Sequence, residues 1–126
     1  MRPPRPLELD DVPAGPSPGT LLCRTDDLPE HGGRELVFRD GSHQISLLVQ
    51  RFHGQTYVYE NRCPHAGTPL NLMGDRFLNI DGTDLICRTH GAQFHVETGY
   101  CHLGPCKGRY LRPVAVEERD GGIYSL

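Results

Sequence analysis

Residues 63–70 read Cys63-Pro64-His65-Ala66-Gly67-Thr68-Pro69-Leu70, and residues 87–94 read Cys87-Arg88-Thr89-His90-Gly91-Ala92-Gln93-Phe94. Each stretch offers one thiolate and one imidazole, spaced C-x-H in the first and C-x-x-H in the second. Two sulfur and two nitrogen donors suit a soft metal centre, and above all one whose two metal atoms are to be inequivalent. A glycine follows each histidine closely (Gly67 and Gly91), and glycine lets the backbone take positive φ and bring its N–H groups close to a bound group. Pro64 stiffens the first loop without removing a ladder hydrogen bond, because a loop N–H need not enter a sheet. The pattern reads as two loops closing on one metal centre.

Other chemistries use the same residue types. A zinc site does, but its usual spacing sets two cysteines close together ahead of two histidines. A Cys–His catalytic dyad needs one thiol rather than two matched pairs. Chance pairs in a packed core would leave the glycines unexplained. As a four-ligand pattern with flanking glycines, the two loops resemble those of the Rieske [2Fe–2S] proteins, where one iron takes two Cys and the other two His. The turn Glu97-Thr98-Gly99 follows, and Gly104-Pro105 is similar to the Pro loop that covers the cluster in that family. The resemblance spans roughly residues 20 to 126. It implies one [2Fe–2S] cluster per chain, held by Cys63, His65, Cys87 and His90. It also implies an all-β Rieske fold: three stacked antiparallel β-sheets, with the loops at the tip of a cluster-binding subdomain.

Two neutral imidazoles in place of two thiolates remove two negative charges from the site, so an added electron is easier to hold and goes to the iron bound by histidine. High-potential members of the family carry an extra Cys in each loop, joined as a disulfide, and a Ser and a Tyr that donate to cluster sulfurs. The matching positions here are Thr68, Thr89, Ala92 and Phe94, and none of them matches. Fewer donors to sulfur predict the low end of the Rieske range, about −150 mV.

The chain has 126 residues, a common single-domain length, with 15 Gly, 11 Pro and no Trp. Such turn-rich content suits short strands joined by many loops. A net charge of −3 recruits neither nucleic acid nor an anionic membrane. The longest apolar run, Ile45 to Val49 with Ser46 inside it, is far below a membrane span. The N-terminal Met1-Arg2-Pro3-Pro4-Arg5-Pro6 lacks the apolar core of a secretory leader, so a cytoplasmic address is expected. Five cysteines fit a reducing compartment. Cys23 reads as a small buried hydrophobe, and Cys101 and Cys106 as a reduced pair, with a disulfide the alternative if the backbone turns back on itself, packed near the centre without binding it.

Residues 1–19 form a Pro/Gly-rich arm that cannot bury enough surface to fold alone and is expected either to dock along a sheet edge or to be a fragment of a longer linker. The domain proper is expected over 20–126. Strands are expected over 20–24, 34–38, 45–51 and 56–60, with hairpin turns at Asp40-Gly41 and His53-Gly54. A further hairpin is expected to pair Leu78-Asn79-Ile80 with Asp84-Leu85-Ile86 around Asp81-Gly82 and deliver Cys87 to the second loop. Gln93 to Val96 leaves that loop, and 113–118 with 123–126 form a last hairpin. A helical turn near Pro69 to Met73 is the only helix suggested.

An oxygenase would need a second iron site of two His and a carboxylate on a much larger added domain. His31, His43, His53, His95 and His102 are scattered over strands and turns. No Gly-rich dinucleotide loop follows a strand, so hydride is not taken directly from NAD. The expected role is that of an electron-transfer protein rather than an enzyme. It would be a Rieske-type ferredoxin passing single electrons from a flavoprotein reductase to a terminal oxygenase or similar redox enzyme. The alternative is a small subunit of a multi-component reductase such as a nitrite reductase, and a third reading is a redox- or iron-responsive interaction module. Pro64, Pro69, Leu70 and Pro105 are expected to form the docking face, ringed by Arg62, Arg88, Lys107 and Arg109.

Overall fold

The computed structural model describes residues 2–72 and 74–126. Among the described residues nine strands follow in chain order: β1 (Leu21–Arg24), β2 (Gly33–Asp40), β3 (His43–Phe52), β4 (Gln55–Glu60), β5 (Asp84–Ile86), β6 (Gln93–His95), β7 (Cys101–Leu103), β8 (Val116–Arg119) and β9 (Gly122–Ser125). They form three antiparallel sheets in the orders β1-β9-β8, β2-β3-β4 and β5-β6-β7. The longest strands flank two-residue turns. Asp40 pairs with His43 around Gly41-Ser42, one residue later than the sequence suggests. Phe52 pairs with Gln55 around His53-Gly54, whose φ values of +50° and +77° give the turn type that matches strand twist.

β3 explains the layering. Leu47 and Val49 on one face pack with Val58, Leu22, Cys23 and Ile123, tying the middle sheet to β1-β9-β8. Leu48 and Phe52 on the other face pack with Tyr59, Leu85 and Phe94, tying it to β5-β6-β7. Side chains alternate across a strand, so a run that is apolar at successive positions belongs to a middle layer. Each such buried side chain contributes about 1.5–3 kcal/mol. Cys23 is buried in β1, as its setting suggests.

The arm docks on the body. Leu7 makes a parallel bridge to Val114, its N–H donating to the Pro113 carbonyl and its carbonyl accepting from Ala115, and Leu7 and Leu9 are both buried. Short 3-10 turns at Leu9–Asp11 and Thr25–Asp27 occupy stretches read as irregular. The strand expected over 78–80 does not form. Leu78 makes one bridge to Leu85, while the Asn79 side chain accepts from the Thr83 N–H at 2.9 Å and curls the chain into a turn. Ile80 then has no layer to cover it and is fully exposed. β7 falls where only a covering loop was expected. The turn suggested at Pro69 to Met73 ends on a residue outside the described ones.

Candidate metal centre

The two loops share one backbone frame. In the first, the Cys63 N–H donates to the Thr68 carbonyl (2.7 Å) and the Gly67 N–H to the Cys63 carbonyl (2.8 Å). In the second, Cys87 donates to Ala92 and Gly91 to Cys87, both at 2.8 Å. The glycine therefore stands four residues after the cysteine in both loops, although the histidine stands two after it in one and three in the other. Gly67 and Gly91 take φ of +73° and +77°, the left-handed region that closes each loop back on its cysteine. A Cβ on Gly91 would meet nothing within 4 Å, so its requirement is conformational rather than steric.

The frame separates the donor types. Cys63 and Cys87 are buried beside one another. His65 and His90 are exposed, edge to face with ring centroids 4.7 Å apart. All four predicted site residues thus converge at one tip. Burial pushes the Cys63 thiol up, and Cys87 beside it acts the same way, while the His65 and Ala66 N–H groups aimed at the sulfur pull it down. These two amides favour the thiolate, the form in which cysteine binds metal. The Thr68 hydroxyl is buried in the first loop with no partner among the described residues.

Further side chains in and around the loops brace the tip. The Arg109 guanidinium donates to the Pro64 carbonyl (3.1 Å), and Arg88 donates from its backbone to Leu70 and from its side chain to Leu78. Asn61 accepts from the Leu70 N–H (2.8 Å) and donates to Asn71 (2.9 Å), and Asn71 in turn donates to Glu35 of β2 (2.9 Å). Burial raises the Glu35 carboxyl, but hydrogen bonds from Asn71, Ser46 and Asn61 outweigh it and leave it below the usual carboxylate range. Gly104 (φ +100°) lies so close to the second loop that a Cβ there would stand 2.8 Å from Ala92 Cα. The covering segment also brings Cys101 and Cys106, both free and buried, with Cys106 donating to Cys101 at 3.1 Å. Burial pushes the Cys106 thiol up, and Cys101 and then Cys63 add to it. Leu70 is fully buried and cannot belong to a docking face, whereas Pro69 and Pro105 are exposed.

Compared with known families, residues 19–117, which include both loops, match the Rieske [2Fe-2S] domain. The chain belongs to this family. The cofactor of a Rieske domain is a [2Fe–2S] cluster, and the site suits one: two thiols face inward, two imidazoles outward, and amide N–H groups point at sulfur. A chain in the complex of reduced oxygenase and oxidized ferredoxin in carbazole 1,9a-dioxygenase is 30% identical, with a TM-score of 0.65 over 84% of this chain and 90% of that one. The ferredoxin of carbazole 1,9a-dioxygenase from Nocardioides aromaticivorans IC177 shares the fold at 23% identity and a TM-score of 0.63, covering 86% of this chain and 97% of that one. The Sphingomonas yanoikuyae B1 ferredoxin does so at 24% and 0.62, covering 85% and 96%. Among curated proteins nothing matches. No helix among the described residues is long and apolar enough to cross a membrane.

Missing from the sequence reading were the bracing by Arg88 and Arg109 and the Asn61–Asn71–Glu35 chain. Their donors reach backbone carbonyls or carboxylates far away in sequence, which no local pattern announces. Also missing was the meeting of Asp84, His95 and His102 on the sheet behind the second loop.

Proposed function

We propose that this Rieske protein is a cytoplasmic single-electron carrier, a ferredoxin that takes electrons from a flavoprotein reductase and delivers them to a terminal oxygenase, and that it is not itself an enzyme. Cys63 and Cys87 hold one iron and His65 and His90 the other, within a cluster domain of residues 20–126 that the arm of 1–19 braces. When bound, the cluster accepts and releases one electron at a time. The observation that carries the reading is the exposure of both imidazoles on a tip whose two cysteines are buried. An electron has a short way out through the histidine edges, while the thiolates stay shielded from solvent. The matched chain in the oxygenase–ferredoxin complex is of comparable length to this one, which supports a separate carrier.

Pro69, Pro105 and the half-buried Pro64 supply the apolar part of the docking face. Arg62 and Lys107 are exposed beside it, whereas the side chain of Arg109 is bound to the first loop and that of Arg88 to the Leu78 carbonyl. Stopped-flow reduction by a flavoprotein reductase, then oxidation by a Rieske oxygenase, tests the role. A carrier turns over as a separate component, and its rates fall as salt screens the cations. Copurification with one fixed partner that survives high salt would instead make the chain a permanent subunit.

A further inference from the structure

We propose that Asp84, His95 and His102 form a second metal site, separate from the two loops, for a divalent transition ion of the zinc class. The register of the last sheet builds it. Asp84 stands directly opposite His95 across β5 and β6. Between β6 and β7 the pairing jumps from Phe94–Cys101 to Gln93–Leu103, leaving His102 as the extra residue of a bulge. A bulge re-aims a side chain, and this one lays the His102 ring on that of His95, with centroids 4.5 Å apart.

The donor atoms converge. His102 Nε2 lies 3.1 Å and His95 Nδ1 3.7 Å from the same Asp84 oxygen, Oδ1. All three groups offer a ligand atom within 4.8 Å of the others. His102 Nε2 is buried and, despite the 3.1 Å contact, makes no hydrogen bond among the described residues. Two ligands on one small ion stand at that separation: at metal–ligand distances of about 2.1 Å they lie about 3.0–3.4 Å apart, and on binding the stacked rings would turn out of parallel so that both nitrogens face the ion. The other carboxylate oxygen, Oδ2, accepts from the Thr83 hydroxyl at 3.0 Å. That bond leaves Oδ1 free and orients it, the usual part of a group behind a metal ligand. One carboxylate and two imidazoles suit zinc and its first-row neighbours. His95 is half exposed, so an ion has a way in and water can fill its remaining positions.

The test uses cluster-loaded protein at pH 7.5 and zinc chloride, with free zinc set by a competing chromogenic chelator. The wild type should take up one zinc per chain with its iron content and visible absorption unchanged. Asp84→Asn, His95→Ala and His102→Ala should each weaken uptake at least tenfold, while His43→Ala, on the exposed start of β3, should leave it unchanged. Zinc-edge anomalous density between the three side chains in soaked crystals gives an arm that needs no variant. The proposal is overturned if the wild type takes up no zinc beyond displaced iron. Equal affinity in the His102→Ala protein, or density elsewhere, would overturn it too.

Discussion

Replacing Gly104 or Gly91 with alanine separates two demands that glycine meets at this tip. At Gly91 an added Cβ has open space, so Gly91→Ala costs only the left-handed strain of an alanine, about 1–2 kcal/mol, less a few tenths returned by a stiffer unfolded chain. At Gly104 the backbone is further out, at φ +100°, and the Cβ would stand 2.8 Å from Ala92 Cα and 3.2 Å from its nitrogen. Both contacts are backbone, with no flexible side-chain end to give way, so overpacking adds about 1–3 kcal/mol. The relief comes by pushing the covering segment off the second loop. Guanidinium unfolding under anaerobic conditions, followed by visible absorption and far-ultraviolet circular dichroism, should place the Gly104→Ala midpoint clearly below that of Gly91→Ala. Equal midpoints would refute the close packing of the covering segment on Ala92.

Tyr59→Phe removes the buried bond from the Tyr59 hydroxyl to the Val96 carbonyl (2.6 Å) and should cost about 1–3 kcal/mol in chemical unfolding, with the cluster spectrum unchanged. Glu35→Gln should lower stability at neutral pH. Because hydrogen bonding depresses the Glu35 carboxyl in the folded protein, its contribution is present above the unfolded carboxyl value and lost as pH falls through the folded one, so the gap between variant and wild type in urea should close on acidification. Ala92→Ser with Phe94→Tyr should raise the reduction potential, by about 40 mV for each bond that favours the reduced form by about 1 kcal/mol, as read by redox titration. No change, or a fall, would overturn the matching of those positions to the donors of high-potential relatives.

The four proposed ligands stood out because metal chemistry leaves few choices for Cys and His at short spacing beside glycine, and the structure places all four at one tip. The all-β class followed from turn chemistry, most plainly at His53-Gly54, while the division into three sheets came from the resemblance to the Rieske family. What escaped was set by side-chain bonds to the backbone and by long-range register. Leu78-Asn79-Ile80 carries strand residues, but the Asn79 side chain competes for the backbone and wins. Leu70 looked like an exposed apolar residue of a loop, yet its N–H bond to Asn61 draws it into the core. His95 and His102 looked unrelated until a bulge in β7 turned one onto the other.

Mössbauer spectroscopy on protein enriched in the iron-57 isotope tests the central assignment most directly. Two cysteines on one iron and two histidines on the other predict two quadrupole doublets of equal area in the oxidised protein. On reduction, ferrous character should appear in only one of them, the doublet lost when His65 and His90 are both replaced. A single doublet from two equivalent irons, or an unchanged spectrum in that double variant, would contradict the account.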